Sequence, residues 1–353
     1  MAALGMGSTA PRVAIVGYGG SGRGIHARLA KEVGLSVTAV VTRDSGRRQQ
    51  AASDWPGARL HDDLDALVAA RAGYDLVIVT SPTGLHADHA AHLARAGIPF
   101  VLDKPIGVDA HEARAVVAEA AATSTPFTVF QNRRWDAEQL TLGALLDRGD
   151  LGDVHTFERR WERWRPTPQQ RWKENDVNGG GLLLDLGPHL IDSATQLFGR
   201  VTSVWAQTRK LTTATEDDVF LVLQHEPRAG RARSPHAVTS RLWAGSVVAA
   251  PGPRTRVLGS AGAFLVTSYE SDASPFETLD VDAPSGTLGW LTRGRDRTAV
   301  PQASGGHADF YRALVDWLTA DGEIPVDPAD AVRTAEVIDA ARIAAREGRT
   351  VTV

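Results

Sequence analysis

The chain has 353 residues, a formal net charge of −4 and no cysteine. Without cysteine it can form no disulfide framework, thiolate metal site or cysteine nucleophile. Its scattered charge argues against a nucleic-acid partner, and no apolar run approaches the roughly 18 residues that a membrane span requires. The first eleven residues lack the basic start and apolar core of a signal peptide, so we expect a cytoplasmic protein without nucleic-acid or membrane partners. The length favours two domains.

Strand-like and helix-like segments alternate over residues 11–131. This alternation is typical of crossover units and predicts an α/β domain whose parallel sheet is covered by helices on both faces. The predicted strands lie at 13–16, 37–41, 75–80, 100–102 and 127–130. The predicted helices lie at 26–33, 62–71, 86–96 and 110–122.

After residue 131 the pattern changes to strand-like runs without intervening helices, which favours an antiparallel sheet. A helix is predicted at 138–148, and strands at 154–164, 201–211, 219–224, 238–244, 255–258 and 264–268. The stretch 270–305 is rich in turn residues and receives no assignment, and helices are predicted at 307–320 and 328–346. We therefore expect a second, α+β domain over residues 132–353 with a large open antiparallel sheet.

A glycine-rich turn follows the first predicted strand and precedes a helix, with the sequence Gly17-Tyr18-Gly19-Gly20-Ser21-Gly22. In this spacing the first glycine makes a tight turn and the second lets a pyrophosphate approach the backbone. The third lets the helix pack closely on the strand, and the helix N-terminus supplies amide donors. The turn predicts a dinucleotide site formed by all six residues; the alternative is an ordinary strand–helix loop.

In a dinucleotide-binding domain, residues at the end of the second strand contact the 2′ position of the cofactor's ribose. An NAD-binding protein usually has an acid there, whereas this chain has Thr42 and Arg43. A guanidinium can bind a 2′-phosphate through two hydrogen bonds, so we expect NADP(H) to be preferred, with NAD(H) possible. Two alternatives stay open: Arg43 could be a solvated loop residue, and a shift of strand register would place Asp44 at the ribose.

Asp103-Lys104-Pro105 follows the fourth predicted strand. Ligands of open α/β sheets bind beyond the carboxyl ends of the strands, so Lys104 is a candidate substrate-binding residue. Taken alone, a lysine at such a position is more often a surface charge.

A second candidate segment runs from three glycines at 179–181 to Asp185, Pro188 and His189. Pro188 is tolerable only in the first turn of a helix. Asp185 and His189 are four residues apart, which places them on one helix face. A histidine titrates near neutrality and can accept a hydroxyl proton as a hydride departs, so we interpret His189 as catalytic. Asp192, one turn further on, either orients His189 or is a solvated or capping acid.

Three histidines, His86, His89 and His92, recur at a spacing of three residues. Such a spacing drifts around a helix by roughly 60° per step, so these side chains do not converge on one ion. We expect no metal site.

Together these motifs resemble the glucose–fructose oxidoreductase/inositol dehydrogenase family over nearly the whole chain. The resemblance rests on the glycine turn, Thr80-Ser81-Pro82 with His86, the lysine motif and the glycine–aspartate–histidine segment. It departs from the family pattern at Asp103, usually Glu, and at Thr83, usually Asn. The resemblance implies a Rossmann domain followed by an open-sheet domain that assembles homodimers or homotetramers. It implies catalytic roles for Lys104, Asp185 and His189, and cofactor contacts from the turn, Thr42, Arg43, Thr80, Ser81, Pro82, His86, Asp103, Lys104 and Asn132.

Within the family, residues 131–136 and the segment from Trp164 to Trp172 resemble the branch that contains NADP-dependent scyllo-inositol dehydrogenases. Four of the nine tryptophans lie between residues 135 and 172, interleaved with arginines, as suits a polyol. The implied substrate-binding residues are Lys104, Arg134, Trp135, Trp164, Arg171, Asp185 and His189. Packing of these tryptophans in a core or a subunit interface is an equal alternative.

We therefore predict reversible oxidation of a secondary alcohol on a cyclic polyol or sugar, scyllo-inositol-like, to a ketone. In this hypothesis His189 takes the hydroxyl proton, Lys104 hydrogen-bonds the same oxygen, and Asp185 positions the substrate or the histidine. Two rivals remain: the same chemistry on another carbonyl, dihydrodiol or imine substrate, and a non-catalytic NADP-binding sensor.

Overall fold

A computed structural model of the chain describes residues 11–268, 283–320 and 322–353. They form two compact units that divide after Asn132, one residue beyond the boundary expected from the sequence. Gly306–Ala335 belongs to the first unit, and the second consists of Arg133–Gly305 with Glu336–Val353. The sequence pattern had indicated a continuous second domain over 132–353.

The first unit contains a six-stranded parallel sheet, as the alternating pattern predicted. Its strands are β1 (Arg12–Val16), β2 (Ser36–Val41), β3 (Arg59–His61), β4 (Leu76–Val79), β5 (Phe100–Leu102) and β6 (Phe127–Val129). They pair in the order β3-β2-β1-β4-β5-β6. Because all six strands are parallel, their carboxyl ends lie at one edge of the sheet, and the loops after β1, β2, β4 and β5 carry the candidate cofactor residues.

The helices of this sheet are short and mostly amphipathic. They are a π-helical segment (Gly22–Ala27), α1 (Arg28–Glu32), α2 (Ser45–Asp54), α3 (Leu64–Ala69), α4 (His86–Arg95) and α5 (Ala110–Ala122), with 3-10 turns at Arg71–Gly73, Thr83–Leu85 and Asn132–Trp135. Asp44, Asp63 and Asp109 cap α2, α3 and α5, each accepting the backbone N–H three residues on. Such caps satisfy donors that a helix N-terminus leaves unpaired.

The second unit is built on a nine-stranded sheet. Its strands are β7 (Val154–Glu162), β8 (Val201–Arg209), β9 (Asp218–His225), β10 (Thr239–Gly245), β11 (Thr255–Gly259), β12 (Gly262–Val266), β13 (Thr287–Arg293), β14 (Asp296–Pro301) and β15 (Val351–Thr352). The order is β14-β13-β12-β11-β7-β10-β9-β8-β15. The large open sheet was expected to be antiparallel, and it is, apart from the parallel pair β7–β10.

The helices of the second unit are α6 (Ala137–Asp147), α7 (Trp172–Asn175), α8 (Leu182–Asp185) and α9 (Gly187–Phe198). Half-buried and buried side chains alternate along the strands, as they do over the whole length of β9. The buried face of the sheet packs in one core with α6, α8 and α9, and its largest members include Phe157, Phe198 and Phe264. The opposite face carries half-exposed aromatic and charged side chains.

Helix α10 (Ala308–Thr319) belongs to the first unit although it follows the second unit's strands in the sequence. Phe310, Tyr311 and Leu314 are completely buried there. The Phe310 ring meets Phe130 edge to face at 4.9 Å. Helix α11 (Pro328–Glu347) closes the chain before β15. Nowhere in the described ranges is a helix both long and apolar enough to cross a membrane.

Candidate active site

The glycine turn after β1 has the tight geometry that its spacing predicts. Gly17 has φ +90°, and a Cβ there would lie 2.9 Å from the Thr80 carbonyl oxygen. A Cβ on Gly22 would lie 2.0 Å from the Gly17 carbonyl oxygen, so only glycine fits the third position. The Thr80 hydroxyl donates a 2.6 Å hydrogen bond to that same oxygen. The ends of β1 and β4 are therefore fixed against the turn.

The middle of the turn is open. A Cβ on Gly20 would meet no atom of the described residues within 4 Å, and one on Gly19 would meet only the Arg47 guanidinium, at 3.8 Å. The turn and α2 border a cavity of about 740 Å³. An open backbone with a cation above it fits the pyrophosphate of a dinucleotide, because the helix that begins here presents its N-terminus to the same space.

The residues expected at the 2′ position follow β2 in the register that the sequence suggested. Thr42 is buried, and Arg43 is exposed, donating to the Asp62 carbonyl oxygen at 3.1 Å. Asp44 caps α2 by accepting the Arg47 N–H at 2.8 Å. The sequence interpretation missed Arg47, which lines the cavity beside the turn. A basic residue in the first turn of the following helix was the available indication.

The loop after β4 is held by His86, which is 2% exposed. Its two ring nitrogens lie 2.6 Å from the Pro105 carbonyl oxygen and 2.8 Å from that of Ser81. Burial lowers the pKa of His86, although the two carbonyl contacts and the Asp103 charge oppose the change. His86 thus joins the loops after β4 and β5. The predicted contact residue Pro82 begins the 3-10 turn at Thr83–Leu85.

Lys104 lies two residues beyond the end of β5, at the sheet edge that carries the turn. The Lys104–Pro105 peptide bond is cis. Asp103 accepts the Lys104 backbone N–H at 2.8 Å and the Ser21 hydroxyl at 2.6 Å. The carboxylate is therefore directed at the chain's own donors. Asn132, also predicted at the cofactor, is 5% exposed and starts the 3-10 turn at Asn132–Trp135.

In the second unit, the glycine segment produces two short helices where the sequence indicated one. Gly181 has φ +93° and precedes α8, and a Cβ on Gly180 would lie 2.4 Å from the Lys173 carbonyl oxygen. Asp185 is the last residue of α8, whereas His189 lies in the first turn of α9 behind Pro188. The Lys173 ammonium contacts the Asp185 carboxylate at 2.5 Å. Lys173 is a site residue that no sequence motif indicated.

The ring of His189 lies against Trp161, with 5.7 Å between centroids. Guanidinium groups cover the same indole, those of Arg133 at 4.5 Å, Arg254 at 4.8 Å and Arg163 at 5.6 Å. A small cavity beside these residues also has Glu138 and Arg159 in its lining. It has room for about one water molecule, so a larger molecule would lie at its mouth.

Charge in this lining is balanced by a buried network. Burial alone would raise the pKa of Glu138, but the charges of Arg159 and Arg254 lower it to about 2. Arg159 also donates to Gln139 and to Ser193. The carboxylate of Glu138 is thus ionised, and the arginines beside His189 are held in place.

The other predicted substrate residues occupy different environments. Arg134 makes two hydrogen bonds to Asp192, at 2.5 and 3.0 Å, so the acid expected to orient His189 has a guanidinium partner. Arg171 binds Glu174 within α7 and its cap. Trp164 is 56% exposed, and Trp135 is half-buried in the 3-10 turn. Among the described residues, no three acids or histidines are grouped as metal ligands.

Two family profiles match the chain. The NAD-binding Rossmann fold of the GFO/IDH/MocA oxidoreductase family matches residues 11–131, and the C-terminal alpha/beta domain of that family matches residues 144–353. The chain belongs to the Gfo/Idh/MocA oxidoreductase family. Like other Gfo/Idh/MocA proteins, it is an oxidoreductase whose first unit is an NAD(P)-binding Rossmann domain, which confirms the resemblance seen in the sequence motifs.

Relatives within the Gfo/Idh/MocA family align along nearly the whole chain. The scyllo-inositol 2-dehydrogenase (NADP⁺) IolW of Bacillus subtilis is 29% identical, covering 96% of this chain and 95% of the relative. The uncharacterized oxidoreductase YdgJ of Escherichia coli is 30% identical over 93% of this chain and 94% of its own. The solved structure of the putative oxidoreductase yvaA from Bacillus subtilis, 27% identical, superposes with a TM-score of 0.84 over 99% of both chains.

Proposed function

We propose that this protein is an NADP(H)-dependent dehydrogenase that interconverts a secondary alcohol and a ketone on a cyclic polyol or sugar, scyllo-inositol-like. The observation that carries the proposal is the position of Lys104 just past the end of β5, at the sheet edge where the glycine turn lies. A bound nicotinamide dinucleotide would supply the hydride acceptor. The similarity to a scyllo-inositol 2-dehydrogenase supports the substrate class.

The chain's own residues provide binding and proton transfer in this proposal. The turn at Gly17–Gly22 and Arg47 hold the pyrophosphate, and Lys104 donates a hydrogen bond to the reacting oxygen. His189 accepts the hydroxyl proton, and Asp185, contacted by the Lys173 ammonium, orients the substrate. A general base of this kind typically contributes about 10²–10⁴-fold to the rate.

Lys104→Met and His189→Ala test these roles. We expect kcat for scyllo-inositol oxidation to fall by about two orders of magnitude or more in each variant, with NADPH binding retained. Lys210→Met and His155→Ala are matched controls, because both residues are exposed and lie outside the proposed site. The assay follows reduced nicotinamide by absorbance across a panel of inositols and aldoses. Near-normal turnover in either site variant contradicts the assigned role.

NADP(H) preference rests in this proposal on Arg43, which directly precedes the helix-capping Asp44. Asp44 accepts the Arg47 N–H through Oδ1 at the start of α2, a contact that supports Arg43 as the residue at the 2′ position. Arg43→Ala should raise KM for NADP by about tenfold or more and leave KM for NAD nearly unchanged, whereas Arg47→Ala should raise KM for both cofactors because both carry the pyrophosphate. Arg95→Ala, which breaks an exposed ion pair with Glu119, is the control. A wild-type preference for NAD would refute the cofactor assignment.

Assembly of a homodimer or homotetramer through the second unit's sheet is also part of the proposal. The face opposite the core carries a row of aromatic rings, with Trp205 and Phe220 at 5.9 Å and Phe220 stacked on Trp243 at 4.7 Å. The Arg160 guanidinium covers Trp243 at 3.9 Å. Trp243→Glu should shift the protein to monomers in sedimentation velocity. A monomeric wild-type protein would contradict this assembly, and the cytoplasmic location expected from the sequence stays a prediction.

A further inference from the structure

A fully buried histidine lies beneath the phosphate turn and has no part in the chemistry described above. His26 belongs to the π-helical segment Gly22–Ala27 and is 0% exposed. Its Nδ1 lies 2.6 Å from the hydroxyl of Tyr311 in α10, and its Nε2 lies 3.6 Å from the Asp103 carboxylate. A π-helical segment frequently marks a functional position in a helix.

The donors of this cluster are directed at one carboxylate. Burial, and then the nearby Asp103 charge, raise the pKa of Tyr311 well above its usual value, so its neutral hydroxyl can donate to His26 Nδ1. The His26 Nε2–H then faces Asp103, which also accepts the Ser21 hydroxyl and the Lys104 backbone N–H. Burial alone would raise the pKa of Asp103, but the contact with His26 and the other donors hold it well below its usual range.

Packing alone does not account for such a cluster. Burying an imidazole, a phenol and a carboxylate is costly unless their polar atoms are satisfied, and apolar residues would fill the space at lower cost. The surroundings are apolar: the Phe130 ring lies 4.2 Å from the His26 ring and contacts the aromatic side chains of α10. Through Asp103, the cluster joins the phosphate turn to the main chain at Lys104.

We propose that Asp103, which lies beside the buried His26–Tyr311 pair, is a positioning residue that fixes the Lys104 main chain and links it to Ser21 of the phosphate turn. The inference rests on the proposed catalytic role of Lys104. The carboxylate binds both the turn and the lysine segment, so it holds the Lys104 main chain in a fixed position beside the turn. Weakening the cluster then slows turnover and leaves cofactor affinity nearly intact.

Tyr311→Phe is the first test, because it removes one hydroxyl and keeps the ring packed. We expect kcat for scyllo-inositol to fall about tenfold and exchange of the Lys104 amide hydrogen to speed up by about the same factor. The Kd for NADPH, measured by fluorescence, should change by less than about twofold. Asp103→Asn, which replaces the carboxylate that accepts from Ser21 and from the Lys104 backbone, should change both kcat and Lys104 exchange by more, about a hundredfold.

Tyr74→Phe is the matched control. Tyr74 is 1% exposed and donates one hydrogen bond to the Leu67 carbonyl oxygen, so its loss reports a buried hydroxyl away from Lys104. If Tyr311→Phe and Asp103→Asn change kcat and Lys104 exchange no more than Tyr74→Phe does, the positioning role is wrong. Lys104 exchange requires no substrate. If Lys104→Met retains turnover while exchange still responds to Tyr311→Phe, the proposed catalytic role fails but the structural link stands.

Discussion

The ion pair between Arg134 and Asp192 should be one of the most sensitive points of the second unit. Only 14% and 4% of these two side chains are exposed, and two hydrogen bonds join them. Asp192 lies on α9, one turn beyond His189. Removing Arg134 leaves a carboxylate buried without its guanidinium partner, which typically costs about 3–5 kcal/mol.

Arg134→Met should therefore lower the melting temperature of the second unit by roughly 10 °C, given 2–4 °C per kcal/mol for a domain of this size. Tryptophan fluorescence suits the measurement, because seven of the nine tryptophans lie in this unit. The double variant Arg134→Met/Asp192→Leu should recover much of the loss, since no buried charge then remains unpaired.

Arg231 and Asp147 form the matched control pair. They make the same two-bond contact, but 45% and 50% of their side chains are exposed. Arg231→Met should cost less than about 1 kcal/mol, because water screens an exposed pair. The reasoning fails if Arg134→Met costs no more than Arg231→Met, or if the two substitutions at the buried pair add their effects.

Two other perturbations give equally direct outcomes. Gly22→Ala should weaken NADPH binding more than tenfold in a fluorescence titration, because its Cβ would clash with the Gly17 carbonyl oxygen. Gly57→Ala, with open space around its Cβ and a position outside the cavity lining, is the control. His225 is buried, which lowers its pKa from 6.5 to about 4. The unfolded chain then binds the proton more readily, so stability is complete above pH 6.5 and falls by about 3 kcal/mol as pH drops to 4. A His225→Gln variant whose unfolding midpoint falls just as steeply over this range would show that other groups cause the loss.

Elements with strong apolar periodicity, such as β5 and α5, were predictable from the sequence within one or two residues. Helix α2 was missed because only Ala51 of its ten residues is buried, so it has no apolar stripe. Strand β3 has only three residues, and β13 and β14 lie in a stretch whose turn residues hid the alternation. Alternation also carries no strand direction, so the parallel pairing of β7 with β10 was not predictable.

The same holds for the candidate site: residues in local motifs were predictable from the sequence, and contacts between distant residues were not. Lys104, Asp185 and His189 were found because each stands in a local motif, and their roles stay predictions. Lys173 contacts Asp185 because the loop between α7 and α8 brings the two residues together, and no periodic spacing relates them. The contact of His26 with Tyr311 joins residues separated by 285 positions, and no single-sequence pattern reports such a distance.

The return of α10 to the first unit has a consequence for the order in which the protein can fold during synthesis. Phe130 and His26 emerge early, but Phe310 and Tyr311, which cover them, follow only after the whole intervening unit has been made. At about 5–20 residues per second, the ribosome needs roughly 10–30 s for that interval. The Thr128 hydroxyl likewise waits for its acceptor, the Val326 carbonyl oxygen. The nascent Rossmann domain is thus incomplete for most of translation, because Phe130 and His26 lack the side chains that cover them until α10 has been made.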